Sequence, residues 1–330
     1  MFLRILIILS LTSGFAFAET EENVKQNVDA AAGGNLVVDV GFGNVEIAPG
    51  DGDKVRVEAH RMIQMNDEAR EKEFFEQAPI VINKEGNTVT VRARRSDNRN
   101  WSWHGNVRMD AHYTVHVPKN FNLELKTGGG KIAVAEIAGQ LHAATSGGNL
   151  HLTKLHGPVD VKTSGGAIAI NDCEGPLVVR TSGGNIRDIG GAGNLDARTS
   201  GGSIDVRDFK GDTLVRTSGG ELRLDNIGGK ISGETNGGSV QAALVSPIPG
   251  DVELSSSAGT IVLNVPTDAA CNIDARASSG AVSSELQINA NQKERESLRG
   301  TMNGGGRSVV LRANAGSVVL RPAPPKTAMH

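Results

Sequence analysis

A six-residue motif recurs at an unbroken 18-residue step: TGGGKI from Thr127, TSGGNL from Thr145, TSGGAI from Thr163, TSGGNI from Thr181, TSGGSI from Thr199, TSGGEL from Thr217 and TNGGSV from Thr235. A period held this strictly marks stacked structural repeats. The repeat TSGGNLHLTKLHGPVDVK places apolar residues at Leu150, Leu152, Leu155, Val159 and Val161, and the next repeat fills the same places with Ile168, Ile170, Cys173, Leu177 and Val179. Period-two alternation at Leu150/Leu152 and Val159/Val161 predicts two short strands per repeat, each with one buried face. The glycines of the motif, and a later column at Gly157, Gly175, Gly193, Gly211 and Gly229, mark the corners, where a positive φ is expected. One repeat cannot fold alone. Five aliphatic side chains contribute roughly 10 kcal/mol, whereas ordering each backbone residue costs about 1–2 kcal/mol. Stacking supplies the rest.

The sequence therefore predicts an all-β chain: a single-stranded β-solenoid, or β-helix, with 18-residue rungs and one short helical insertion near the N-terminus. Left-handed acyltransferase helices also use 18 residues per coil, but with an aliphatic residue every six, and here the spacings run 2, 3, 4, 2. Calcium-binding β-rolls need a recurrent Asp that this motif lacks. A β-sandwich has no reason to keep the period.

Residues 1–18 (MFLRILIILSLTSGFAFA) read as a signal peptide: Arg4, an apolar run, then Ala16-Phe17-Ala18 before the expected cleavage point at Glu19. Residues 19–34 are read as a linker and 35–126 as an N-terminal β region. That region holds three strands in 35–62, a charged helix at Asp67–Gln77, a hairpin turning at Glu85-Gly86-Asn87, and a Trp-bearing loop. Residues 127–321 form the solenoid, with degenerate rungs beyond Thr235 and a helical insertion expected at 289–300. Residues 322–330 read as a disordered tail.

The charge balance, 34 basic against 37 acidic residues, excludes a strongly basic nucleic-acid binder. Nothing after the leader has 18 consecutive apolar residues, so no transmembrane span is expected in the mature chain. Cys173 and Cys271 fall five rungs apart, about 24 Å at the strand spacing, beyond the ~7 Å a disulfide spans.

The stretch AHYTVHVPKNFNLELKTGGGKIAVAEIAGQLHAATSGGNL resembles the bacterial "putative adhesin" family, a domain-of-unknown-function group of exported β-solenoid proteins. The likeness rests on a Tyr-x-x-x-x-Pro strand (Tyr113 to Pro118), repeated Ser-Gly-[Gly/Asp]-x-[Ile/Val] rungs and a terminal pair, NGGGRSVVLRANAGSVVLR. It covers about residues 35–321 and implies an exported solenoid. The family brings no catalytic residues to carry over, and some relatives are associated with envelope stress. The helix and Trp loop at 62–108 depart from its pattern.

Catalytic motifs are absent. GGGKIAV (128–134) lacks the ending of a phosphate loop and precedes a strand, and there is no G-x-S-x-G elbow. His112 and His116 stand four apart on a strand, about 13 Å, too far to share an ion. No cofactor or metal is expected. Two surface features remain as candidates. The last position of successive rungs holds Lys162, Arg180, Arg198 and Arg216, a basic ladder at ~4.8 Å spacing that could track an anionic polymer; the plainer reading is a solvated face beside Asp160 and Asp196. Trp101, Trp103 and His104, flanked by Arg95, Arg99 and Arg108, could stack on sugars or anchor a partner; the plainer reading is an end cap.

These features point to a non-enzymatic, exported binding module, periplasmic or at the cell surface. Its expected partners are an envelope polysaccharide, an anionic lipid surface or another envelope protein. The alternatives are a polysaccharide-acting β-helix enzyme using Asp160 and Asp196, and a scaffolding part of an envelope complex.

Overall fold

The computed structural model describes residues 20–65, 67–94 and 107–323. They divide into two compact units, one ending at Thr163 and the other beginning at Ser164. Residues 1–18, expected to be a leader, and most of the expected tail lie outside the described residues.

Both units are β-solenoid. Each 18-residue rung carries two short strands, such as Leu150–Thr153 and Val159–Lys162 in the first unit and Ile186–Ile189 and Leu195–Arg198 in the second. The first strands of successive rungs pair in parallel, and so do the second strands, so each unit has two sheets. In the second unit Ile168 pairs with Ile186, Ile186 with Ile204 and Ile204 with Leu222. Each strand buries alternate residues, and the buried faces meet: a side chain at Gly233 would touch Leu222 and Leu224 of the opposite sheet.

The motif's purpose is a hydroxyl ladder. Each Thr donates to the carbonyl of the last motif glycine one rung back: Thr145 to Gly130, Thr199 to Gly184 and Thr217 to Gly202, at 2.8–3.0 Å. Several of the same hydroxyls accept from their own motif's last glycine, as with Gly202 N to Thr199 Oγ1 at 3.2 Å. Ser256 continues the ladder with Gly238 and Gly259.

Positive φ at the motif glycines is not found. Gly148, Gly184, Gly202, Gly220 and Gly238 keep ordinary φ, but a Cβ on any of them would run into the glycine carbonyl of the rung beneath. They are glycine for close approach between backbones. The later column does behave as expected at Gly157, Gly175, Gly193 and Gly211, with φ of 130°, 127°, 135° and 148°; Gly229 is the exception. A further left-handed column falls just after each first strand, at Glu136, Lys154, Asp172, Gly190, Asp208 and Asn226.

The first unit opens with strands β1 (Thr20–Asp29), β2 (Gly34–Val40), β3 (Asn44–Pro49) and β4 (Lys54–Gln64), helix α1 (Glu68–Gln77), then β5 (Val81–Glu85), β6 (Thr88–Ala93), β7 (Arg108–Val117) and β8 (Phe121–Thr127). Asp67 caps the helix by accepting from Ala69 N and Arg70 N. Residues 20–29, expected in a linker, instead pair antiparallel with β4 along their whole length, from Thr20 opposite Ile63 to Asp29 opposite Lys54. Only Glu22, Val24 and Val28 of this strand are buried, which left little apolar signal. The insertion at 289–300 is likewise not helical: Asn289–Lys293 and Ser297–Met302 pair antiparallel, the latter also with Cys271–Ala277. The ladder offered by that neighbour outweighs the helical bias of its charged residues.

Chain order and stacking order differ at both ends. In the first unit the layer made by β2 and β3 lies between that of β6 and β7 and that of β8 and Ile132–Ala135. In the second, Arg307–Ala313 and Val318–Pro322 slot between the layer at Val252–Val265 and the layer at Cys271–Ser284. Cys173 and Cys271 are both buried, neither in a disulfide, and the strands beginning at Leu195, Thr213, Ile231, Val252 and Arg307 stand between the rung of Cys173 and the strand of Cys271.

Candidate functional site

The expected cationic column does form in part. In the second unit Arg180, Arg198 and Arg216 stand in register on adjacent strands. It is not a bare row of positive charge. Arg198 grips Asp196 with two hydrogen bonds of 2.7 and 2.9 Å, and Arg216 reaches Glu234 at 3.2 Å. Lys162, in the first unit, ends a strand opposite Ala144. The other sheet repeats the pattern: Arg207 holds Asp205 at 2.8 Å through two nitrogens, and this hydrogen bonding holds its guanidinium above the usual range. The outward faces thus carry paired charges. Trp101, Trp103 and His104 lie outside the described residues. Of the enzymatic candidates, Asp196 is committed to Arg198, and Asp160 stands opposite His142.

A concavity that sequence reasoning missed lies on the second-strand sheet of the first unit. It has a volume of about 300 Å³ and is lined by Asn35, Thr88, Asn122, Glu124, Gln140 and His142. The solenoid register builds it. Asn35 sits opposite Asn122 at the head of β2 and β8, and the column continues at Gln140, 18 residues on. Val37, Glu124 and His142 form the neighbouring column. Asn122 donates to Asn35 Oδ1 at 3.1 Å and accepts from the Gln140 backbone amide at 3.0 Å, while Asn35 donates to Thr88 at 3.3 Å. The Gln140 side-chain amide nitrogen hydrogen-bonds His142 Nε2 at 2.6 Å. Glu124 is paired with Lys126. The lining is therefore polar, ordered and close to neutral. Its only sequence signal was the amide pair Asn122 and Gln140 one period apart, and Asn35 lies outside the repeats.

Two further polar features are buried. Arg61 is fully buried; it donates to Glu22 Oε2 and to the Ala78 carbonyl, and lies 5.0 Å from the Phe75 ring centroid. Glu71 accepts from Thr20 Oγ1 and Met65 N. Together they fasten β1, β4 and α1 to one another. In the second unit Asp188 is fully buried where neighbouring rungs have Ile170 and Val206, and neither carboxylate oxygen has a hydrogen-bond partner. Burial pushes its carboxyl up to about 7.

Among the described residues, no cluster of three or more His, Cys, Asp or Glu side chains could hold a metal ion, and no helix is long and apolar enough to cross a membrane.

No curated protein matches this chain. Solved structures similar to it include a "putative cell adhesion protein" from Clostridium sporogenes ATCC 15579, at 8% identity and a TM-score of 0.21, covering 91% of this chain and 99% of that one. A "putative lipid binding protein" from Parabacteroides distasonis ATCC 8503 follows at 13% identity and a TM-score of 0.31, covering 90% and 96%. A "putative adhesin" from Bacteroides fragilis NCTC 9343 shows 10% identity and a TM-score of 0.26, with the same coverage. The family model described as Toastrack DUF4097 matches residues 34–321, nearly the whole stack of rungs, and the chain belongs to that family.

Proposed function

We propose that this protein is a non-enzymatic, adhesin-like binding domain that is exported to the cell envelope and works through its repetitive, rigid outer faces. One observation carries the reading. The Thr–Gly ladder fixes each rung on the one beneath it, so outward side chains stand in columns at constant spacing, as Arg180, Arg198 and Arg216 do. Such a surface is preorganised to meet an extended partner, because little side-chain or backbone freedom remains to be lost on contact. Internal pairing of Arg198 and Arg216 argues against an anionic polymer as the main partner. Trp101, Trp103 and His104 are proposed as further contacts, since aromatic side chains of this kind stack on sugars or anchor a partner.

The test is retention of native envelope material by the immobilised chain, with fractionation of cells to locate it. Enrichment of an envelope polysaccharide or envelope protein is expected, with a reduced yield from a Trp101→Ala/Trp103→Ala variant. An export-blocked distribution, or no retained species, removes the reading.

A further inference from the structure

We propose that the concavity on the first unit's second-strand sheet is a binding subsite for a short stretch of neutral glycan. The inference rests on the adhesin-like reading and names its ligand class. Three observations carry it.

The first is the chemistry of the lining. Asn35, Asn122 and Gln140 present carboxamides, groups that both donate and accept, as sugar hydroxyls do. Each amide is held by a neighbour: Asn122 by Asn35, Asn35 by Thr88 and Gln140 by His142. One amide proton of each is used in this way. A second proton on each, and the Gln140 carbonyl oxygen, remain for a ligand, and their orientation is already set.

The second is the charge. Glu124 is paired with Lys126, and His142 hydrogen-bonds the Gln140 amide. No unpaired cation lines the concavity, so a phosphate, a uronate or an anionic headgroup would find no counter-charge there. Of its apolar lining residues Leu36 and Leu123 are buried and Val37 is half-buried, so it offers little apolar surface to a lipid chain.

The third is the shape. The concavity lies on a sheet face whose backbone groups are consumed by the ladders of β2 with β6 and β8, which excludes an added peptide strand. Its volume of about 300 Å³ falls at the small end of the roughly 300–1,000 Å³ range of ligand sites. The one amide column of Asn35, Asn122 and Gln140, with members ~4.8 Å apart, matches a ligand that repeats hydroxyls along its length.

Titration calorimetry of the full chain with chitotetraose, maltotetraose and laminaritetraose tests this, with polygalacturonate and phosphatidylglycerol vesicles as anionic comparisons. At least one neutral tetrasaccharide should bind, and Asn122→Ala and Gln140→Ala should each weaken it at least tenfold while Lys293→Ala, on a fully exposed strand of the second unit, leaves it unchanged. The Gln140 side chain is exposed, so Gln140→Ala should fold normally and decides the matter if Asn122→Ala does not fold. Failure of all three tetrasaccharides, binding of only the anionic probes, or wild-type affinity in Gln140→Ala overturns the inference. If envelope material is still retained equally by wild type and Gln140→Ala, the glycan subsite falls and the adhesin-like reading stands. If wild type retains nothing, both fall.

Discussion

The hydroxyl of Thr199 donates to the carbonyl oxygen of Gly184 at 3.0 Å, and Gly202 N donates to the same hydroxyl at 3.2 Å. One side chain thus closes its own turn and bonds to the rung beneath. Thr199→Val keeps the shape and removes both bonds, leaving a carbonyl and an amide in a buried position. A loss of about 1–3 kcal/mol is expected. Thr199→Ser should recover most of it, since Ser256 fills this role naturally. Urea unfolding measures both, and equal stability of the Val variant and wild type would disprove the ladder's contribution.

Adjacent glycines of one motif should respond in opposite ways. A Cβ at Gly202 meets the Gly184 carbonyl directly, whereas a Cβ at Gly201 comes no nearer than 3.7 Å to Ser182 O. Gly202→Ala should force the rungs apart and cost about 3 kcal/mol or more, toward the upper end of overpacking effects. Gly201→Ala should stay within roughly 1 kcal/mol of wild type. Thermal melts of the two variants side by side check the contrast.

Asp188 should make stability fall as pH rises. Its folded carboxyl titrates at about 7, above the ordinary value of 3.8, so the native state holds its proton more tightly than the unfolded chain does. The advantage of the protonated form is complete below pH 3.8, declines as pH climbs toward 7 and is gone above it. Three pH units correspond to about 4 kcal/mol as an upper bound. Asp188→Val, which copies Val206 in the same column, should raise the melting temperature at pH 8 and flatten this slope. A pH-independent difference between the two proteins would contradict it.

The Arg61–Glu22 pair should behave as a unit. Arg61→Met strands a carboxylate among buried groups and should cost about 3–5 kcal/mol. Joint replacement by Arg61→Met and Glu22→Leu should restore much of that loss. Denaturation of the two single variants and the double variant gives the coupling, and additive losses would mean the two side chains do not act through each other.

What could be read from the sequence depended on the period. Strict spacing of the Thr-Ser-Gly-Gly motif fixed two strands per rung, their facing and their register, because a parallel stack repeats one solution. β1 escaped notice because an edge strand buried at three positions leaves almost no alternation. Asn289–Lys293 escaped because all of its side chains are exposed and its conformation is set by a distant partner. Asp188 was not picked out from the sequence, although it stands in an otherwise apolar column with Ile170 and Val206, and its burial shows that the column outranks residue type. The concavity was not legible, since Asn35 joins Asn122 only through the exchanged order of layers at the N-terminal end.

That exchanged order also governs how the molecule can come undone. The final described strands are clasped on both sides, so neither peels away by surrendering a single row of bonds. Their release requires two rows to fail together, and near the other extremity β2 and β3 are held the same way. An edge strand such as β1, paired with β4 alone, is instead where fraying by one row can begin.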